Sequence, residues 1–530
     1  HCGVLPRQAL QHTMWCVGVV CIVLVLLLVS VSAEFTCPGN ADIADMGVVQ
    51  VVSIEGVNKV MEGELPRMQN MMLEMKMSDI DTVLDLGITT VDLSIRDMAF
   101  TDFQIYGTAV TTMPDTQQLQ ISLDGVDLSL SFSWSFRETT FPFISDHGTG
   151  TAGVTNIKGD VIAGTDFDEE CGILQMSMDE CVFDLGDIVV HLDGGASALY
   201  NTVLAVLIDM FQDVFTDQLD TVIASGITAS INDGIMDQKP YRYLQDNVLA
   251  DFRMVSPGMV VDDNYVSLQF TGYGYPGTTT DDWPQRIDDG LRPGPMGGRV
   301  NDEDMQFEVS HTVYESIYDV GISMGLMGGE VDPTLVTDPK IQSMLNTAVV
   351  APMCPGLYAA YPDQPIYLSL MPSAETIPSV SIMPSAAFTN VTGTVAVSVR
   401  DALDQPVDAF TLGYSVGMAG VPVSLTAPDP FDPINHKNKT RFYFEYSTYN
   451  VTAWSVSSDF GPLSLDTPQA LQLELMLAAL GVVPYMNTWT ETHAPYLPVK
   501  GSYYDWTGVY AMMQVPESVS FCIPMVVTSK

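Results

Sequence analysis

The sequence predicts an α+β protein built from two similar barrel-like domains. Residues 80–185 alternate between apolar and polar positions, long apolar helices flank that run, and the order of helix, strands and helix recurs after Ser310. Alternation with a period of two indicates strands, whereas apolar residues spaced by three and four indicate one face of a helix. We therefore expect each domain to be a curved antiparallel sheet wrapped on long helices.

Length and charge restrict the class of protein. The 530 residues exceed the size at which single cores usually stop growing. We assign residues 34–240 to the first barrel, 241–300 to interdomain strands and a loop, and 301–530 to the second barrel. Acidic residues outnumber basic residues by 65 to 20, giving a formal charge of −45. This excludes nucleic acid, which requires a basic footprint, as a partner, and it is consistent with a soluble secreted protein.

An apolar run from Trp15 to Val31 lies near the start of the chain. It ends in Val31-Ser32-Ala33, which has small residues at the positions that a signal peptidase recognises. We expect residues 1–33 to be a signal peptide and the mature protein to be secreted. The alternative is an uncleaved anchor formed by residues 15–33, because the run has about the length of a short membrane span.

Secretion permits disulfides. After removal of residues 1–33, five cysteines remain: Cys37, Cys171, Cys181, Cys354 and Cys522. Cys171 and Cys181 are the candidate pair if the segment between them folds back as a hairpin, since a continuous strand would separate them by about 30 Å. Neither zinc nor calcium spacing is present, so no metal and no cofactor are expected. Candidate glycosylation sequons begin at Asn390, Asn438 and Asn450.

The first domain opens with a short strand and a helix. The apolar face of this helix carries Val57, Val60 and Met61. Pro66 is expected to limit the helix, because proline lacks the N–H for the next hydrogen bond and clashes with the preceding turn. The strands of residues 80–185 follow, and their clearest alternation is broken once, at Asp124-Gly125.

A second, longer helix is predicted after Gly194. In an ideal helix Asp217 would fall on its apolar stripe, so the buried face is expected to end there. Together with the helix near Val57, it is the natural cover of the sheet. The stripe comprises Leu199, Val203, Val206, Leu207, Met210 and Val214.

The second half repeats this plan after a strand pair in residues 258–276. Ser310 is expected to cap a helix that carries Val313 and Ile317 on one side. Many strands follow, and Pro468 opens another helix at its first position.

One motif points to a different chemistry. Gly413-Tyr-Ser415-Val-Gly417 fits the Gly-x-Ser-x-Gly pattern of serine hydrolases, which requires a strand, a sharp turn and a helix. The residues that follow, including Pro422, are those of a strand, so we interpret the match as a chance occurrence in a β hairpin. A hydrolase that uses Ser415 is the weakest of three hypotheses.

Four stretches resemble a known family. The chain is similar, over about residues 38–527, to the bactericidal/permeability-increasing protein family, which includes lipopolysaccharide-binding protein and plasma lipid transfer proteins. The resemblance implies two barrels joined by a central sheet in an elongated boomerang, each with an apolar slot for acyl chains. The stretches are VVQVVSIEGVNKV, HLDGGASALYNTV, IYLSLMPSAETIPSVSIMPSAAF and VVPYMNTWTETHAPYLPV.

Two departures from the family bear on function. Residues 34–233 contain few basic residues, so binding of endotoxin is not expected. Vertebrate members tie a strand cysteine to one in the long helix; Cys181 resembles the strand partner, but no cysteine occurs between Asn201 and Pro240. That bridge is absent or is replaced by Cys171–Cys181.

The resemblance implies a secreted, non-enzymatic lipid-binding or lipid-transfer protein that holds phospholipid-like acyl chains. Its partners would be acyl lipid and, transiently, a membrane or lipoprotein surface, and we expect a monomer. The alternative from another class is a secreted or anchored acidic structural glycoprotein whose barrels are filled with side chains. Candidate slot residues are Val57, Val60, Met61, Leu207, Met210 and Phe211 in the first domain, and Val313 and Ile317 in the second.

Overall fold

The structure is a computed structural model. It describes residues 46–74, 77, 79–85, 90–139, 143–168, 172–193, single positions within 204–216, 232, 241–243, 248–251, 253–277, 302–334, 336, 339–373, 375, 376, 378–428, 438–466, 468, 470, 474, 482–493, 510–512 and 518–523. The predicted signal peptide lies outside these residues and stays a prediction. Within the described ranges, no helix is both long and apolar enough to cross a membrane.

Antiparallel strands make up most of the described chain. The strands are β1 (Val48–Ser53), β2 (Ile80–Asp85), β3 (Thr90–Met113), β4 (Gln118–Glu138), β5 (Ser145–Asp168), β6 (Ile173–Asp184), β7 (Ile188–Asp193), β8 (Tyr241–Tyr243), β9 (Val248–Asp251), β10 (Met254–Val261), β11 (Tyr265–Phe270), β12 (Gly274–Pro276), β13 (Met305–Ser310), β14 (Gly329–Val331), β15 (Tyr367–Pro372), β16 (Ser379–Met383), β17 (Ala386–Arg400), β18 (Pro406–Pro428), β19 (Asn438–Ser458), β20 (Tyr510–Met512) and β21 (Ser518–Ile523). The helices are α1 (Ile54–Glu74), α2 (His311–Ser323), α3 (Pro339–Met344), α4 (Thr347–Val350), α5 (Pro355–Ala360) and α6 (Val483–His493).

A central sheet joins the two halves of the chain. Its strand order is β10-β11-β1-β13-β21-β20, and β1 pairs antiparallel with β13, with Val48 opposite Val309 and Val52 opposite Met305. The order is symmetric about this pair, since each of the two strands is flanked by one hairpin and is followed at once by a helix. The predicted α+β class, duplicated plan and central sheet are confirmed, and the arrangement is consistent with the expected boomerang. The domain boundaries stay a prediction, because the sheet takes strands from all three predicted parts.

The N-terminal sheet follows the predicted alternation. Its order is β2-β3-β4-β5-β6, with β7 also pairing with β5. Along β4 every second side chain from Val126 to Phe136 is buried. The predicted break at Asp124-Gly125 is a register shift in which Gly125 has a φ of 78°, a left-handed conformation that favours glycine.

Helix α1 is longer than expected. It continues through Pro66 to Glu74, so the prediction that this proline limits the helix is wrong. A proline inside a helix costs about 3 kcal/mol. Packing offsets that cost, because Val57 and Met61 are buried and Leu65, on the same face, packs against apolar core. Pro66 itself is exposed.

The C-terminal half repeats the plan around the sheet β14-β15-β17-β18-β19, with β16 pairing with β17. The predicted cap of α2 is confirmed, because Ser310 Oγ accepts a hydrogen bond from the Thr312 N–H at 3.4 Å. Positions 468, 470 and 474 are helical, as expected after Pro468. The short helices α3, α4 and α5 between β14 and β15 were not predicted.

Two apolar cores organise the described residues. The shared core runs from Val57 and Met61 of α1 through the central sheet to α2 and the C-terminal sheet. The distal core lies between β3, β4, β5 and β7 on one side and the helical positions 204–216 on the other.

Candidate functional site

The predicted slot residues lie on helices that face the curved sheets, but they fall in different cores. Val57, Met61 and Val313 are buried in the shared core, against which Ile317 packs partly buried. Leu207 and Phe211 are buried in the distal core, and Met210 packs against it. Val60 lies in α1, but its side chain is outside the described set.

This division has a geometric cause. α1 is 21 residues long, about 30 Å at 1.5 Å per residue, so one helix passes both cores. Val57 and Met61 lie near its start, beside the central sheet, whereas Leu65 reaches the distal core. The candidates of the first domain therefore do not line one continuous wall.

The segment 204–216 presents a well-defined buried stripe. Leu207, Phe211 and Phe215 follow one another at intervals of four and are each 0% exposed. The Phe211 ring lies 5.0 Å from the ring of Phe132 on β4 and 5.9 Å from that of Phe215, centroid to centroid. Phe215 was not predicted, although its spacing from Phe211 would have identified it. Asp217, predicted to end the stripe, is outside the described residues.

Partly buried apolar side chains border the distal core on the side of α1 and on the side of the segment 204–216. We name this set the apolar rim; Leu65 lies on α1, Met77 follows α1, and the segment 204–216 contributes the other members. Each packs against the distal core while it keeps some exposed surface. The rim consists of Leu65, Met77, Leu204, Ile208 and Met210.

The C-terminal half contains a small, partly open space between its sheet and its helices. Its volume is about 10 Å³, which is the space of one water molecule. The Tyr414 hydroxyl is buried at its wall and has no hydrogen-bond partner among the described residues, and burial raises the pKa of Tyr414. The lining residues are Met327, Leu370, Pro372, Val391, Tyr414, Val482 and Met486.

Buried polar contacts hold α2 against the C-terminal sheet. The Tyr318 and Tyr446 hydroxyls lie 2.7 Å apart, and Thr389 Oγ1 donates to the Tyr446 hydroxyl at 3.1 Å. Burial raises the pKa of Tyr446 to about 12. On another side of the helix, Glu315 Oε1 accepts a hydrogen bond from the Val380 N–H at 2.6 Å. The helix that carries Val313 and Ile317 is therefore fixed to both β19 and β16.

Several basic side chains in the described ranges are engaged by carboxylates. Arg96 contacts Asp79 at 2.8 Å and Asp81 at 2.6 Å, and Lys59 contacts Asp304 at 2.9 Å. Burial lowers the pKa of Lys59, but hydrogen bonds to Asp304 and Glu55 outweigh burial and raise the pKa above its usual value. Lys158, Arg253 and Arg400 are paired with aspartates in the same way.

The other sequence motifs also have definite positions. Ser415 lies inside β18, with β17 and β19 on either side, and its Oγ donates to Asn390 Oδ1 at 3.0 Å. The strand–turn–helix geometry that a hydrolase requires is therefore not present at Ser415. Among the described residues, no group of three or more His, Cys, Asp or Glu side chains could hold a metal ion.

The candidate disulfide remains untested, because Cys171 is outside the described residues. Cys181 lies in β6, which runs without a break from Ile173 to Asp184. At about 3.3 Å per residue, Cys181 is about 26 Å along the strand from Ile173. The hairpin that the bridge was expected to need is therefore not formed between Ile173 and Cys181.

Comparison with known proteins agrees with the resemblance of the sequence. Residues 56–236 match the model of the LBP / BPI / CETP family, N-terminal domain. A putative BPI/LBP family protein of Arabidopsis thaliana is 24% identical over 349 residues, which is 64% of this chain and 65% of that protein. The chain thus covers less than two thirds of the length of this relative. The predicted resemblance is confirmed.

Solved structures are similar at low sequence identity. The crystal structure of lipopolysaccharide binding protein matches with a TM-score of 0.48 and 14% identity over 92% of this chain and 100% of that chain. Takeout 1 of Epiphyas postvittana matches with a TM-score of 0.20 and 13% identity over 30% of this chain and 77% of that chain. P47 from Clostridium botulinum A2 matches with a TM-score of 0.24 and 10% identity over 90% of this chain and 97% of that chain.

Proposed function

We propose that this protein is a secreted lipid-binding or lipid-transfer protein that holds phospholipid-like acyl chains, because residues 56–236 match the model of the LBP / BPI / CETP family, N-terminal domain. The family match supports lipid binding in general. The observation that carries the more specific proposal lies within the matched segment, where α1 and the positions 204–216 both pack against the apolar core of one curved sheet.

The apolar rim is the proposed place for an acyl chain. Leu65, Leu204, Ile208 and Met210 pack against the distal core yet remain partly exposed, so a chain laid along them would meet apolar surface without displacing buried phenylalanines. Each methylene removed from water contributes about 0.8 kcal/mol. A 16-carbon chain would therefore gain at most roughly 12 kcal/mol before the entropic cost of binding.

The cargo that the charges favour is neutral or zwitterionic. Arg96, Lys59 and Lys158 are already engaged by carboxylates, so a phosphate-rich lipid would have to displace an existing partner from each. The formal charge of −45 adds a general repulsion of anionic surfaces. Delivery would then involve transient contact with a zwitterionic membrane or lipoprotein surface, and no bond would be made or broken.

Photo-crosslinking tests the proposal directly. The purified full chain is incubated with phosphatidylcholine that carries a diazirine in one acyl chain, and the labelled peptides are mapped by mass spectrometry. We expect label on peptides from residues 54–77 and 204–216, with strong competition by unlabelled phosphatidylcholine and weak competition by lipopolysaccharide. Label confined to other segments, or tight salt-sensitive competition by lipopolysaccharide, would contradict the proposal.

A pair of variants provides the matched control. Met210→Lys places a charge on the rim at a partly exposed position, so we expect it to reduce labelling by about tenfold, the effect of roughly 1.4 kcal/mol. Val189→Lys introduces the same charge on β7, where Val189 is 66% exposed, and should leave labelling unchanged.

Close packing favours a second candidate, the acidic structural glycoprotein without cargo. Leu207, Phe211 and Phe215 are fully buried, and the space beside Tyr414 has room for about one water molecule. Native mass spectrometry of protein purified from lipid-rich eukaryotic cells separates the two functions, because co-purified acyl lipid supports the carrier and a lipid-free mass supports the structural protein.

A further inference from the structure

The middle of the outward face of the C-terminal sheet carries no charged side chain. Alternate residues from 390 to 396 on β17, 411 to 417 on β18 and 450 to 454 on β19 include no Asp, Glu, Lys or Arg. Their neighbours, among them Val391, Val395 and Val416, are buried in the shared core, which places the alternate set on the opposite side. We name this set the neutral face.

An uncharged surface is unusual in this molecule. The outward face of the N-terminal sheet carries ion pairs such as Arg96–Asp81 and Lys158–Asp124, as expected for a chain with 65 acidic residues. Protein surfaces normally carry charged side chains of both signs, which keep them soluble. The neutral face has only uncharged side chains, mainly Asn, Thr and Ser, so charge is not what keeps it in solution.

Two of the predicted sequons lie side by side on this face. Asn390 and Asn450 are both opposite Gly417 in the register of the sheet, one on each neighbouring strand. Two strand spacings separate them by about 10 Å. Both asparagines are exposed, although they are 60 residues apart in the sequence.

The side chain of Asn390 is oriented for modification. Ser415 Oγ donates to Asn390 Oδ1 at 3.0 Å, which directs the amide nitrogen away from β18. An N-linked sugar is attached to that nitrogen and leaves the amide oxygen in place, so the hydrogen bond to Ser415 is compatible with a glycan. The serine that resembled a nucleophile thus positions the asparagine.

An exposed indole ring lies beside the sequons. Trp454 is 46% exposed and lies over Gly413, where any Cβ would collide with the ring. Asn450 is four residues away on the same side of β19, or about 13 Å. Aromatic rings combine a large apolar face with a polar edge, and this face is open to the inner sugars of a glycan on Asn450.

We propose that Asn390 and Asn450 carry a pair of N-linked glycans that cover the neutral face and that the inner sugars of the Asn450 glycan pack on Trp454. A glycan is bulky, uncharged in its core and solubilising. It supplies the solvation that charged side chains provide elsewhere on the protein. The proposal requires passage through the secretory pathway, but it is independent of lipid cargo, which is measured separately by the crosslinking experiment.

The test uses the full chain, produced by a eukaryotic host and purified from all cell fractions. Peptide mapping after enzymatic release of N-glycans in ¹⁸O-water should show that both Asn390 and Asn450 were modified. Acrylamide quenching of Trp454, obtained as the difference between the parent protein and Trp454→Phe, should increase about twofold after native deglycosylation, because the open face of the ring becomes uncovered.

Matched variants locate the effect. Asn450→Gln should abolish the change in quenching, whereas Asn438→Gln, which removes the sequon at the far end of β19, should preserve it. Native deglycosylation of the parent protein gives the same comparison if a variant does not fold. An unmodified Asn390 or Asn450, or quenching of Trp454 that is unchanged by deglycosylation, overturns the proposal.

Discussion

Truncation of Phe211 tests whether the segment 204–216 is part of the core or the wall of a lipid site. The side chain is 0% exposed, and its ring contacts those of Phe132 and Phe215 at 5.0 and 5.9 Å. Phe→Ala substitutions at such sites lose the transfer free energy of the ring and leave a cavity, at a combined cost of roughly 3–5 kcal/mol. The two aromatic contacts account for roughly 0.5–1.5 kcal/mol each.

We expect Phe211→Ala to lower the free energy of local unfolding by that amount in delipidated protein. Phe211→Leu retains most of the volume and should cost less than about 1.5 kcal/mol. Val189→Ala, at a position that is 66% exposed, should change stability by less than about 0.5 kcal/mol. Native-state hydrogen exchange of peptides from β4 measures the local value, which a global transition would mix with the second half of the chain.

A loss below about 1 kcal/mol would refute the assignment of Phe211 to a packed core. A larger loss in the presence of phosphatidylcholine than in its absence would also refute it, because the ring would then contact lipid in the parent protein. Equal destabilisation with and without lipid would confirm protein-to-protein packing at Phe211.

Three further predictions concern buried or half-buried polar groups. Asp251→Ala should destabilise the protein by roughly 3–5 kcal/mol, because it breaks the buried ion pair that Asp251 forms with Arg253 at 2.7 Å. Chemical denaturation measures this loss, and a change below about 1 kcal/mol would contradict the prediction. Tyr446→Phe should cost roughly 1–3 kcal/mol by leaving the buried Tyr318 hydroxyl without its 2.7 Å partner, and no loss in the same assay would exclude that role. Burial raises the pKa of the Asp319 carboxyl above 3.8, which favours the protonated side chain in the folded protein. The contribution of Asp319 to folding stability is therefore present below the unfolded pKa and is lost as pH rises through the folded pKa. Asp319→Asn should therefore stabilise the protein at neutral pH but not below pH 3.8, and equal effects at both pH values would disprove this.

Local patterns predicted much of the architecture. The Ser310 cap, the break at Asp124-Gly125 and the alternation in residues 80–185 depend on residues close in sequence, and each has the expected form. Pro66 was misjudged because the cost of a proline in a helix is local, whereas the packing of α1 that offsets it is not. The helices α3, α4 and α5 were missed because each has six residues or fewer and no sustained period.

The candidate site divides in the same way. Helical spacing placed Leu207 and Met210 on the apolar stripe, and Phe211 was a candidate slot residue. Phe215 was overlooked, although it follows Phe211 by four residues and is buried in the same core. The sequence did not predict that the candidates lie in two different cores. Their separation depends on the length of α1, which passes the shared core and then reaches the distal core. The position of Ser415 inside a strand confirms the interpretation made from the residues that follow it.

The amino-acid sequence alone determined the α+β class, the duplicated order of elements, the acidic character and the family resemblance, because composition and short periodicities are properties of neighbouring residues. Only the tertiary structure decided which apolar faces meet. It also showed that Asn390 and Asn450, 60 residues apart in sequence, share one neutral face through Gly417. Strand register is set by pairing across the sheet, so residues distant in the chain become neighbours only when the sheet forms.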